Sequence, residues 1–206
     1  MPNIPLKVNV QCSDSACGKS INMIVNPVTY KVTHIVVEDN SLPDNPTRLV
    51  PVENVARTSH NQITLSCSKD DVAGMHPFIV TRFVQQSASG QAYSSGEAYH
   101  SQYVLNDTAY DSVQERQIPE DELAVYGGMI IKATDGEVGK LDELVLDPTR
   151  GDITHLQMRE GHLWGKKDVA IPVSEVQFVD RDTIYLKLDK NAVKALSAVP
   201  VRRETG

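Results

Sequence analysis

Aromatic residues are scarce in this chain: three Phe, one Trp and seven Tyr among 206 residues. A core built on stacked rings is therefore not expected. Cysteine is scarcer, with only Cys12, Cys17 and Cys67, and an odd count does not describe a disulfide framework. Basic residues are outnumbered, 20 Lys and Arg against 27 Asp and Glu, for a net charge of −7. Bulk charge of that sign repels phosphate, so nucleic acid is not expected as a partner. No stretch approaches the roughly 18 apolar residues of a membrane span. The opening "MPNIPLKVNVQCSD" lacks a charged segment followed by an apolar run. The expected location is cytoplasmic, with peripheral membrane association through a partner left open. Catalytic signatures are missing too: there is no G-x-S-x-G, H-E-x-x-H or G-x-G-x-x-G. "ACGKS" (residues 16–20) contains Gly-Lys-Ser, but Ser13 stands where a phosphate loop needs its first glycine. The chain is not expected to be an enzyme, and no cofactor or metal is expected.

What the chain has is a repeat. Shifted by 121 residues, positions 8–82 align without a gap on 129–203, and 16 of the 75 pairs are identical. They include Asp14/Asp135, Gly18/Gly139, Thr33/Thr154, His34/His155, Pro51/Pro172, Ile63/Ile184 and Leu65/Leu186. Gap-free similarity of this length implies two copies of one fold rather than one intertwined domain. The repeat also bears on the cysteines. Cys12, Cys17 and Cys67 align with Ala133, Val138 and Leu188. Positions that accept those side chains read as core, where free cysteine packs as a small hydrophobe.

Each copy reads as short strands. In the second, "ITHLQMRE" alternates with period two, placing Thr154, Leu156 and Met158 on one face and Ile153, His155 and Gln157 on the other. "RDTIYLKLD" alternates likewise, and Asp189 or Asn191 can cap a short closing helix. Closely spaced strands with turn signals predict an all-β chain of two small barrels, because closure removes edge strands. The predicted organisation is residues 1–82, a Ser/Gln/Tyr-rich linker over 83–125, and residues 126–206. Tyr93, Tyr99, Tyr103 and Tyr110 fall in the linker; docking of these rings on a barrel or a partner is one reading, and a solvated tether is the other.

The pattern "ATDGEVGKLDELVLDPTRGDITHLQMREG…DVAIPVSEVQFVDRDTIYLKLDKNAVKAL" resembles the PRC-barrel family. That family takes in the cytoplasmic domain of the photosynthetic reaction-centre H subunit and the C-terminal domain of RimM-type ribosome-maturation factors. The matching features are T-D-G-x-x-G-K, D-P-x-x-G-x-I, I-P-x-x-x-V and the last I-x-L strand. Residues 8–80 follow the pattern less closely, with Tyr30 in place of the turn glycine. The resemblance implies two six-stranded PRC-like β-barrels in tandem, each used as a binding platform without a catalytic residue set.

Candidate contact residues follow. His34 and His155 recur behind a threonine at one strand position. They read as equivalent interface or metal sites, or as strand histidines bonded to a neighbour. His162, Trp164, Lys166 and Lys167 lie in "REGHLWGKKD", which the first copy lacks. A loop with Trp and two lysines can grip a partner, or Trp164 can fold back over its own barrel. The sequence therefore predicts a non-enzymatic adaptor that binds another protein or complex, with homodimerisation open. A ribosome-maturation or RNA-processing factor and a component of a membrane complex are the alternatives.

Overall fold

The computed structural model describes residues 3–59, 61–85, 110–147, 149–160 and 168–196. It is dominated by strands. The first half carries β1 (Asn3–Pro5), β2 (Asn9–Gln11), β3 (Ala16–Asn26), β4 (Lys31–Glu38), β5 (Thr47–Pro51), β6 (Val55–Ser59), β7 (Gln62–Leu65) and a short helix α1 (Lys69–Ala73). A ribbon of β8 (Ile79–Gln85) and β9 (Tyr110–Arg116) follows. The second half carries β10 (Leu123–Val125), β11 (Ile130–Ala133), β12 (Gly136–Leu146), β13 (Ile153–Glu160), β14 (Asp168–Pro172), β15 (Val176–Asp180), β16 (Thr183–Leu186) and α2 (Lys190–Ala195).

Two sheets of the same design result. One runs β5-β4-β3-β2-β7-β6 and the other β14-β13-β12-β11-β16-β15. The registers obey the 121-residue shift: Val10 pairs Ile63 in parallel as Ile131 pairs Ile184, and His34 faces Pro51 as His155 faces Pro172. The two copies predicted from the repeat are thus present as matching sheets.

Closed six-stranded barrels are not. Among the described residues no ladder joins β5 to β6 or β14 to β15. Pro51 and Pro172 end one strand, and Val52–Asn54 and Val173–Glu175 then form single 3-10 turns leading into the next. Proline has no N–H to donate, so the sheet bends through a turn at this corner instead of continuing its ladder.

Each sheet has instead a seventh strand, taken from the other half. β3 and β12 are 11 residues long, but β2 and β11 pair only with their beginnings. The remaining edge of β3 receives β10, with Ala124 opposite Ile24 and Val125 opposite Met23. The remaining edge of β12 receives β1, with Asn3 opposite Val145 and Ile4 opposite Leu144. The exchange is reciprocal and in equivalent register. An unfilled edge would leave a row of unpaired N–H and C=O groups. Ile4 and Val125, the residues delivered by the exchange, are buried. They join one continuous core with Met23, Ile35 and Ile63 of the first sheet and Ile131, Leu144 and Ile184 of the second. Side chains of this size contribute roughly 1.5–3 kcal/mol each when fully buried. The copies are therefore intertwined at their edges, contrary to the expectation of two separate folds.

The stretch predicted as a linker over 83–125 contains the end of β8, all of β9 and β10. Its middle, with Tyr93, Tyr99 and Tyr103, lies outside the described residues; Tyr110 begins β9, paired with Gln85. The root of the ribbon packs on the outer face of the first sheet. Phe78 is buried there against Ile24, Val36 and Leu49.

The short helices are capped as their sequences suggest. Asp189 accepts from the amide of Ala192 at 2.7 Å, and Ser68 with Asp71 forms a capping box. Asp14 and Asp135, one of the identical pairs of the repeat, reach across to these helices. Each accepts from the first amide of its copy's helix, Lys69 at 3.0 Å and Lys190 at 2.9 Å. Gly18 has φ +127°, and a Cβ there would run into the carbonyl of Glu38. Cys12 and Cys17 are buried as expected, but they are joined in a disulfide across the β2–β3 turn. Only Cys67 is free; burial pushes its thiol pKa up.

Candidate functional site

The two recurrent histidines keep to their own sheets. The His34 Nδ1 lies 3.0 Å from Thr33 Oγ1, and the His155 Nδ1 lies 3.1 Å from Thr154 Oγ1. The Thr154 hydroxyl donates to the carbonyl of Val145 at 3.1 Å, nine residues back across the strand pair. Its lone pairs then accept from Nδ1–H, which orients the ring. Among the described residues no group of three His, Cys, Asp or Glu side chains gathers to hold a metal.

The first copy adds a partner that the repeat did not reveal. Glu122, just before β10, accepts the Thr33 hydroxyl proton at 2.7 Å. Its carboxylate is 3.9 Å from His34 Nδ1 and only 12% exposed. The exchanged strand thus brings a carboxylate from one half onto a Thr-His pair of the other. The chemistry of this trio is orientation. The Thr33 hydroxyl donates to Glu122 and lies within hydrogen-bond distance of the His34 ring nitrogen, so the three side chains fix one another's orientation.

Two open clefts adjoin the trio, the first lined by His34 and the second by Glu122. One, of about 550 Å³, is lined by His34, Leu49, Pro51, Met75, His76, Pro77, Val80, Gln117, Ile118 and Pro119, so it lies between the first sheet and the ribbon root. Its lining is mostly apolar. The second, of about 400 Å³, has Arg116, Ile118, Glu122, Leu123 and Ala124 on one wall and Val179, Arg181 and Asp182 on the other. It therefore lies between the segment leading into β10 and the β15–β16 turn. Arg181 is the first residue of that two-residue turn and has φ +46°, a conformation that costs a non-glycine side chain about 1–2 kcal/mol. Tyr126 borders the same region. Burial pushes its phenol pKa up, and a hydrogen bond to Asp182 pushes it further.

A stacked pair, Phe178 on Tyr185 with centroids 4.4 Å apart, lies on β15 and β16, with Lys132 5.8 Å from the Tyr185 ring. The first copy has Arg57 and Thr64 at those positions. His162, Trp164, Lys166 and Lys167 lie outside the described residues. Sequence reasoning missed Glu122, Arg116 and Arg181, because their roles depend on the exchange of β10. No curated protein matches the chain. Residues 125–193, from the end of β10 to the body of α2, match the family model described as the PRC-barrel domain.

Proposed function

We propose that the protein is a non-enzymatic adaptor built from two PRC-type halves, and that it binds another protein or protein complex. The observation that carries this reading is the match of residues 125–193 to a family of binding platforms, combined with a first sheet of the same order and register. The polar groups at the junction support it. Thr33, His34 and Glu122 are engaged with one another, while the groove beside His34 is open and mostly apolar. Apolar concavities with a few placed polar groups suit recognition of a ligand or a partner segment. The charge of −7 favours a protein over RNA as that partner.

The test is an affinity pull-down from the source cells, read by mass spectrometry. Wild type runs beside Trp164→Ala/Lys166→Ala/Lys167→Ala and beside His34→Ala. A stoichiometric protein held by wild type and lost from either variant is the expected result. Recovery of nothing above background, or every partner kept by both variants, would overturn the surfaces named here.

A further inference from the structure

We propose that the cleft between the β15–β16 turn and the segment 116–124 binds a carboxylate carried on an apolar body. Its four charged residues are Arg116, Arg181, Glu122 and Asp182, which sum to zero on paper. The two acids are already engaged. Glu122 takes the Thr33 hydroxyl at 2.7 Å and has His34 beside it, and Asp182 holds the Tyr126 phenol. Among the described residues neither the Arg116 nor the Arg181 side chain makes a hydrogen bond or an ion pair, and Arg116 acts on the Tyr126 phenol through its charge alone. Two guanidiniums whose N–H donors are not committed to an acid therefore line a cleft whose remaining lining includes Ile118 and Val179. Guanidinium is the side-chain group best suited to grip a planar oxyanion through paired N–H donors. The neighbouring acids disfavour a dianion such as phosphate, so a monoanionic carboxylate fits the local field. This cleft exists only because β10 crosses to the first sheet, so the ligand would report on the joined halves. The inference does not depend on the adaptor reading: a free organic acid and the C-terminal carboxylate of a protein share the required chemistry.

The experiment is an amide NMR titration of the full chain with sodium hexanoate, with hexanamide as the uncharged control. Saturable shifts at residues 116–124 and 179–182 are expected with hexanoate and not with hexanamide. Arg116→Gln and Arg181→Gln should each weaken binding roughly tenfold. Both side chains are exposed, so the variants keep the fold, which circular dichroism verifies. N-acetyl-alanyl-leucine, compared with its C-terminal amide, identifies the source: tighter binding than hexanoate points to a peptide terminus, and weaker binding to a free acid. Equal shifts with hexanamide, unchanged affinity in both variants, or no saturable shift with either carboxylate would overturn the proposal.

Discussion

Lys31 and Asp152 occupy the same position in the two copies, 121 residues apart, and they face each other. Their backbones form an isolated antiparallel bridge, and Lys31 Nζ is 3.8 Å from Asp152 Oδ1. The amide of Ile153 donates to the carbonyl of Tyr30 at 2.7 Å in the same place. A position that meets its own counterpart lies on an approximate two-fold axis, and the reciprocal strands β1 and β10 obey the same relation. The ion pair itself contributes little, because Lys31 is 56% exposed and water screens it. Lys31→Ala should cost less than about 1 kcal/mol. Ile4→Ala or Val125→Ala, which empty the exchanged positions, should cost about 2 kcal/mol or more. Urea denaturation of the three variants checks the order.

Cys12 and Cys17 test how far one copy instructs the other. Ala133 and Val138 stand at the equivalent positions and are also buried, so the core accepts them. Cys12→Ala/Cys17→Val should fold and lose about 2 kcal/mol, the entropy expected for so short a loop. Thiol titration of the denatured, unreduced wild type should find one reactive thiol, and three after reduction. The Cys67 thiol, its pKa raised by burial, should alkylate more slowly in the folded protein than in the denatured one.

Tyr30 has φ +55° and Gly151, its counterpart, φ +73°. Both close the same turn, with amides donating to Asn26 and Asp147 carbonyls at 2.9 Å. Glycine adopts this conformation without a Cβ penalty. Tyr30→Gly should therefore stabilise the protein by about 0.5–1 kcal/mol, measured as a rise in the denaturation midpoint. A fall would mean that the ring makes a contact worth more than the strain.

Acid should destabilise the fold below about pH 4. For Asp39, burial would raise the pKa, but hydrogen bonds from Ser41 and the 3.0 Å ion pair with Lys69 outweigh it and leave it lowered. The Ser68 hydroxyl and amide lower Asp71, and the amides of Arg150 and Thr149 lower Asp147. A carboxylate with a lowered folded pKa contributes stability that is full above its unfolded value and lost as pH falls through the folded one. Denaturation midpoints taken between pH 7 and pH 2.5 should show this loss, and Asp39→Asn should flatten the curve.

The legible part of this structure was what each copy does alone. The alternation of "ITHLQMRE" put Leu156 and Met158 in the core, although a register shift beside Val145 also turns Ile153 inward. The recurrent Thr-His pair marked a real local bond in both copies. What one copy does to the other left little trace. β1 and β10 are three residues each, too short for a period, and they precede the aligned region. Glu122 reaches Thr33 across 89 residues and has no partner in the alignment, which begins at residue 8. The disulfide was hidden because the second copy fills its place with Ala133 and Val138.

The central claim is that the two halves form one body through exchanged strands. Residues 1–90 and 105–206 can be produced as separate chains, alone and together, and followed by size exclusion with circular dichroism. The account predicts that the pair co-elutes as a folded one-to-one complex and that each piece alone is unfolded or aggregated. Two independently folded, monomeric halves that ignore each other would contradict it.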